Sequence, residues 1–165
     1  MDAIKFLKSQ HREVEKLFAA IEKLGERATK SRVRLFEQLA DALALHATIE
    51  EKIFYPSAHF DKTEDILFES LEEHLAVKRV ITDLMSCPAG DPTWKAKLSV
   101  LKEDVEHHVE EEEEELFPMV AKELGGDRLA EIGTELETMA AELEGTHPRN
   151  GIPAQIDHAA PLDQA

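Results

Sequence analysis

At 165 residues the chain is long enough for one domain with a core of its own. Its formal charge of −16 sets it against nucleic acid and anionic lipid as main partners, and no stretch reaches the ~18 apolar residues of a membrane span. Hydrophobic residues make up 42% and aromatics 5%, which favours helices packed through Leu, Ile, Val and Ala. The lone Cys87 has no partner for an internal disulfide, and no N-terminal apolar run resembles a signal peptide, so a reducing, cytoplasmic setting is expected.

Apolar residues recur at spacings of three and four along most of the chain. A first helix is predicted from Asp2 to Leu24, with Ile4, Leu7, Val14, Phe18 and Ile21 on one stripe, and Gly25 ends it. Ser31 is the expected N-cap of a second helix running to Ser57, with Phe36, Leu39, Leu43 and Ile53 inward. Thr63 is the expected cap of a third, with Leu67, Leu71, Val77, Ile81 and Leu84 inward. In "CPAGDPTW" Asp91 caps a fourth helix and Pro92 takes its first position; Leu98, Leu101, Val105, Leu116 and Met119 point inward. Gly125-Gly126 breaks that helix, and a weaker fifth is predicted from Asp127 to Leu143. Residues 145–165 have three prolines and no period, and are expected to form an extended tail that could fold back on the bundle. The fold class is therefore all-α: an up-down-up-down four-helix bundle over residues 1–144, with a short fifth helix and a Pro-rich tail.

The chain repeats itself. His11 and Val14 recur as His74 and Val77, and His46 and Glu50 recur as His108 and Glu112. "HATIEEKIFYP" and "HVEEEEEELFP" each place a Pro ten residues after the His. Two copies of one helical hairpin are expected, related by a pseudo-twofold axis. His11, His46, His74 and His108 continue the apolar stripes of their helices. Glu50 and Glu112, four residues after a His, lie on the same faces. Packed together, the hairpins bring four imidazoles and two carboxylates into one interior, where uncompensated carboxylates are very costly. A pair of metal ions satisfies all six, and the mixed nitrogen and oxygen donors suit Fe, Mn or Zn. A single core His is more often hydrogen-bonded structure than ligand; the in-register repeat overturns that reading here. His107 is turned off the stripe and is taken as surface or as a neighbour of the site, and His59, His147 and His158 lie outside it. Among Glu110–Glu115 only Glu112 is expected to face inward.

At this point "QHREVEKLF", "HATIEEKIFYP", "EEHLAVKRVI" and "HHVEEEEEELFP" resemble the hemerythrin-like proteins, also called HHE cation-binding domains, over roughly residues 4–122. The resemblance implies a four-helix bundle around two Fe ions joined by an oxo or hydroxo bridge, with Mn or Zn behind iron. Position by position, it implies His11, His46, Glu50, His74, His108 and Glu112 as ligands. There are departures: oxygen-carrying hemerythrins have a fifth His where Lys78 stands, and their last carboxylate is an Asp five residues after its His. In the repeat Lys78 matches Glu15, so a Glu15–Lys78 contact beside the centre is expected, or Glu15 as an occasional ligand. With five ligands per iron, both metals would keep an open position.

Two function classes remain. One is redox or gas chemistry on O2, peroxide or nitric oxide, with peroxide and oxygen redox chemistry ahead of O2 carriage; on this reading the protein is a peroxide- or NO-consuming oxidoreductase. The other is a non-catalytic iron or oxygen sensor or metal buffer.

Overall fold

The computed structural model describes residues 1–162; residues 163–165, the end of the predicted tail, lie outside the described residues. Among the described residues all regular structure is helical: α1 (Ala3–Glu22), α2 (Thr29–Ile49), α3 (Glu64–Ser86), α4 (Pro92–Glu111) and α5 (Phe117–Leu143). α2 runs on without a break through a π-helical turn, Glu50–Phe54, into a last α turn, Tyr55–Ser57. α4 runs through a matching π turn, Glu112–Leu116, into α5. Two uninterrupted helices and two that each widen for one turn make the four-helix bundle.

Local sequence explains the ends. Asp2 accepts from the Lys5 N–H at 2.9 Å and caps α1; Asp91 accepts from the Thr93 N–H at 2.8 Å and caps α4, with Pro92 at its first position. Two expected caps do something else. α2 starts at Thr29, upstream of Ser31, with no side-chain cap. Thr63 stands at the cap position of α3, but its hydroxyl donates to the Ala58 carbonyl at 2.6 Å and accepts from the Phe60 N–H at 2.9 Å, closing the preceding loop instead. Gly125, with φ 73°, bends α5 at the predicted break. Gly133 lets the start of α1 press against α5: a Cβ there would lie 2.0 Å from the Met1 carbonyl oxygen.

The π turns shift the predicted stripes. Ile53 and Met119, expected inward, are only half-buried, while Phe54, Tyr55, Phe117 and Val120 fill the core. Each π turn inserts one residue into the helical repeat, so everything after it moves one position.

The core has two apolar clusters. One contains Val14, Phe18, Phe36, Leu39, Ile81, Trp94 and Leu101; the other contains Leu7, Ile49, Phe54, Tyr55, Leu71, Phe117 and Ile132. His11 lies between Leu7 of the second and Val14 of the first, so the polar layer is sandwiched between them. The tail folds back: Gly145 (φ 77°) and His147 (φ 55°) reverse the chain, and Pro148–Gln155 forms a 3-10 helix against α2 and α3, with Ile152 buried in the first cluster.

Candidate metal centre

α1 and α3 each deliver one histidine to the layer, and α2 and α4 each deliver one histidine followed by a glutamate at the start of the π turn. His11, His46, His74 and His108 are 2–6% exposed, and Glu50 and Glu112 are fully buried. His11, His46, Glu50 and Glu112 converge within 4.8 Å of one another, as do Glu50, His74 and His108. Glu50 spans the two groups: one oxygen lies 3.0 Å from His46 Nε2 and the other 3.1 Å from His74 Nε2. Glu112 Oε1 lies 3.3 Å from His11 Nε2 and 3.2 Å from His108 Nε2. Each carboxylate thus touches one histidine of each hairpin.

An outer ring of acceptors fixes the imidazoles. Nδ1 of His11 donates to Glu113 at 2.8 Å, that of His74 to Glu51 at 2.9 Å, that of His108 to Glu73 at 3.0 Å and that of His46 to the Gln10 amide oxygen at 2.7 Å. Carboxylate and amide oxygens only accept, so each Nδ1 carries the proton and each Nε2 turns its lone pair inward when the ring is neutral. The ring obeys the repeat: Gln10 and Glu73 precede the histidines of α1 and α3, and Glu51 and Glu113 follow Glu50 and Glu112. The repeat carries this pairing; Glu113, expected to face outward, instead meets His11 and also pairs with Arg12.

The π turns bring in one more residue per half. The Tyr55 N–H donates to the Glu50 carbonyl and the Phe117 N–H to the Glu112 carbonyl, five residues back. A residue five positions on therefore returns to the site, which it would miss in an α-helix. Pro56 and Pro118, one residue later, lack the N–H that a regular turn needs. Phe117 stacks on His11 with ring centroids 5.9 Å apart, and Tyr55 lies over His74 at 5.4 Å. The hydroxyl breaks the symmetry. Tyr55 Oη sits 3.1 Å from Glu50 Oε2, 3.1 Å from Glu112 Oε2, 3.1 Å from His74 Nε2 and 3.4 Å from His108 Nε2. The two sides thus differ: the His74–His108 side has a phenol oxygen, and the His11–His46 side has a phenyl ring.

These residues fit a metal pair. Nε2 of His11 and His46 and Oε1 of Glu50 and Glu112 are buried without a hydrogen-bond partner, and Nε2 of His74 and His108 face each other at 3.2 Å. Orphaned groups of this kind cost ~1–3 kcal/mol each when left unmade. Cations between them would use every lone pair at once. Without cations the protein balances its own charges: burial lowers the His108 pKa, but Glu112 beside it more than offsets this and leaves it well above 6.5. His11 and His74 are raised in the same way. Burial raises Glu50, and His46 foremost then pulls it well below 4.5.

The other expectations fare unevenly. Glu15 does not meet Lys78: it is half exposed and pairs with Arg12 at 3.3 Å. Lys78 is buried, but its Nζ donates to Glu51 at 2.8 Å and so backs His74 from outside. Helical register alone placed Lys78 at the edge; its partner came from the neighbouring helix, which a single stripe does not reveal. His107 is exposed and lies 3.1 Å from Glu111 and 3.5 Å from Glu73, the residue that holds His108. His59 pairs with Glu64, His147 with Asp41, and His158 is exposed, all apart from the site.

Residues 2–120 match the hemerythrin HHE cation binding domain family, and the chain belongs to it. The fold agrees with the crystal structure of a hemerythrin HHE cation binding domain-containing protein from Mycobacterium kansasii: TM-score 0.79, 23% identity, covering 88% of this chain and 89% of that one. A DNA nickase from Nostoc sp. (strain PCC 7120) is 22% identical over 138 residues, 84% of this chain, which spans 39% of that protein's length. Among the described residues no helix is long and apolar enough to cross a membrane.

Proposed function

We propose that the protein is a non-haem diiron protein of a reducing, cytoplasmic compartment that turns over small oxidants, with O2 and peroxide ahead of nitric oxide. What carries this reading is the set of unpartnered Nε2 and carboxylate oxygens sealed between two apolar clusters. His11 and His46 would hold one ion, His74 and His108 the other, with Glu50 and Glu112 across both. When bound, the iron pair supplies the electron exchange with the oxidant. The chain does the rest. Glu113, Gln10, Glu51 and Glu73 keep each Nε2 aimed inward. Tyr55 offers an oxygen and a proton at the His74–His108 side; burial first, then the two carboxylates, hold its pKa well above 10, so with protein atoms alone the phenol stays protonated and donates. The Lys78 ammonium, neutralised by Glu51, stands at the cavity edge where negative charge developing on a reduced oxidant would gain from a cation. That Lys in place of an imidazole favours redox turnover over reversible carriage.

Protein purified aerobically from iron-replete cells tests this: about two Fe per chain with near-ultraviolet charge-transfer absorption and peroxide consumption support it, and iron-free protein of undiminished stability refutes it. A non-catalytic sensor or metal buffer is the second reading. It is favoured by the ligands' origin in four different helices, α1 to α4, which makes occupancy a condition of packing. Nicking DNA is not carried over, since a chain of charge −16 repels the phosphate backbone.

A further inference from the structure

The tail builds something that the helical repeat alone would not. A cavity of about 40 Å³ opens beside the four ligand histidines, walled by Val14, Val77, Ile81, Val105 and, from the tail, Ile152. A water-sized body needs ~10–15 Å³ of such space, so the chamber holds about three. Outside it lies a groove of about 330 Å³ lined by Lys52, Asp157, His158 and Pro161. Thr48, Lys78 and Gln155 line both spaces and so stand as the neck that separates the groove from the chamber. The tail is fastened on either side of this neck. Arg149 pairs with Asp41 at 2.6 Å, and Arg79 Nε donates to the Ile156 carbonyl at 3.0 Å. The family match ends at residue 120, well before the tail.

A second groove, about 360 Å³, lies along α1 and α4 and shares His11, Val14, Val105 and Val109 with the chamber. Opening it means displacing Val14 and Val105, both packed in the core. Of the three residues of the neck Gln155 is the exposed one, and exposed side chains turn in picoseconds to nanoseconds. Charge narrows the traffic further. Lys78 is paired with Glu51, so this pair adds no net charge to draw anions, and Val14, Val77, Ile81, Val105 and Ile152 make the chamber wall apolar away from the histidines.

We infer that neutral molecules of two to four atoms reach the histidine layer through the Thr48–Lys78–Gln155 neck, and that Gln155, outside the family's matched region, sets the size limit. This rests on the proposed metal centre for its purpose, but the path runs between protein side chains and can be probed without metal. Xenon is therefore the first probe. Its exchange into the purified full-length protein, followed by 129Xe saturation-transfer NMR, should slow about tenfold or more in Gln155→Trp and quicken in Gln155→Ala, on the usual reading that one side chain limits passage. Ala19→Trp, which narrows the second groove, should leave it unchanged. Nitric oxide association with the reduced, iron-loaded protein should follow the same order. Any other order, including a Gln155→Trp variant with undocked tail and faster exchange, or slowing by Ala19→Trp, overturns the path. Iron content at the wild-type level with the wrong order would sink the path alone; iron-free wild-type protein with the right xenon order would sink the metal centre alone.

Discussion

At the scale of single residues, the site works by dividing the two nitrogens of each imidazole. Nδ1 is spoken for by Glu113, Gln10, Glu51 or Glu73, and Nε2 is left for the interior. The adjacent histidines of "HHVEEEEEELFP" therefore separate cleanly. His108→Ala should lose bound metal, and His107→Ala should retain it; equal loss by metal analysis would put the register of α4 in error. Glu51→Gln leaves an oxygen near His74 but removes its charge and the Lys78 ion pair, and should weaken metal binding by roughly 10–100-fold in a competition titration. Tyr55→Phe makes the two halves alike. If the phenol oxygen binds iron, the variant should lose a visible charge-transfer band while keeping its iron; an unchanged spectrum would confine Tyr55 to hydrogen bonding. The six inward residues were legible because stripe, spacing and repeat all agreed on them. Tyr55 was not: five residues after Glu50, it falls off the face of a regular helix, and only the π turn returns it.

At the scale of elements, the same turns explain what the periodicity missed. Up to Glu50 and Glu112 the predicted stripes match the buried faces, as Leu39, Leu43, Leu101 and Val105 show. Past them the faces move by one residue, from Ile53 to Phe54 and Tyr55 and from Met119 to Val120. The prolines at 56 and 118 were the visible signal, read only as part of a repeat. The tail is the other gap. Its composition has no period because its core contacts are scattered: Ile152 is buried in the first cluster, Ala159, Ala160 and Leu162 pack against the second, and ion pairs to Asp41 and Glu37 hold its start. A periodless segment carries no signal of packing, yet this one docks on the bundle. Ile152→Ala should cost about 2–4 kcal/mol of stability in urea unfolding. A loss near zero would mean that the tail undocks readily and contributes nothing to the chamber.

Across the whole molecule, two apolar clusters enclose a layer of charge, and pH acts on that layer. In metal-free protein the raised pKa values of His11, His74 and His108 mean that folding favours their protonated forms. That contribution is complete below the ordinary 6.5 and is lost as pH rises through the raised folded values. The lowered pKa values of Glu50, Glu51 and Glu112 act in the other direction: their contribution is present above the ordinary 4.5 and is lost as pH falls through the folded values. Metal-free protein should therefore have its highest Tm between these two limits and a falling Tm as pH rises above 6.5 through the raised histidine values. Metal-loaded protein should not show the alkaline fall, because its ligands bind as neutral imidazoles and binding releases their protons. Parallel thermal scans of both forms would reveal a shared alkaline fall, the outcome that removes metal from this account of the layer. The most direct test of the centre itself is anomalous diffraction at the iron edge from crystals of iron-replete protein. The account predicts two peaks, one between His11 and His46 and one between His74 and His108, with Glu50 and Glu112 joining them. A single peak, or density elsewhere with this layer holding only hydrogen-bonded side chains, would contradict it.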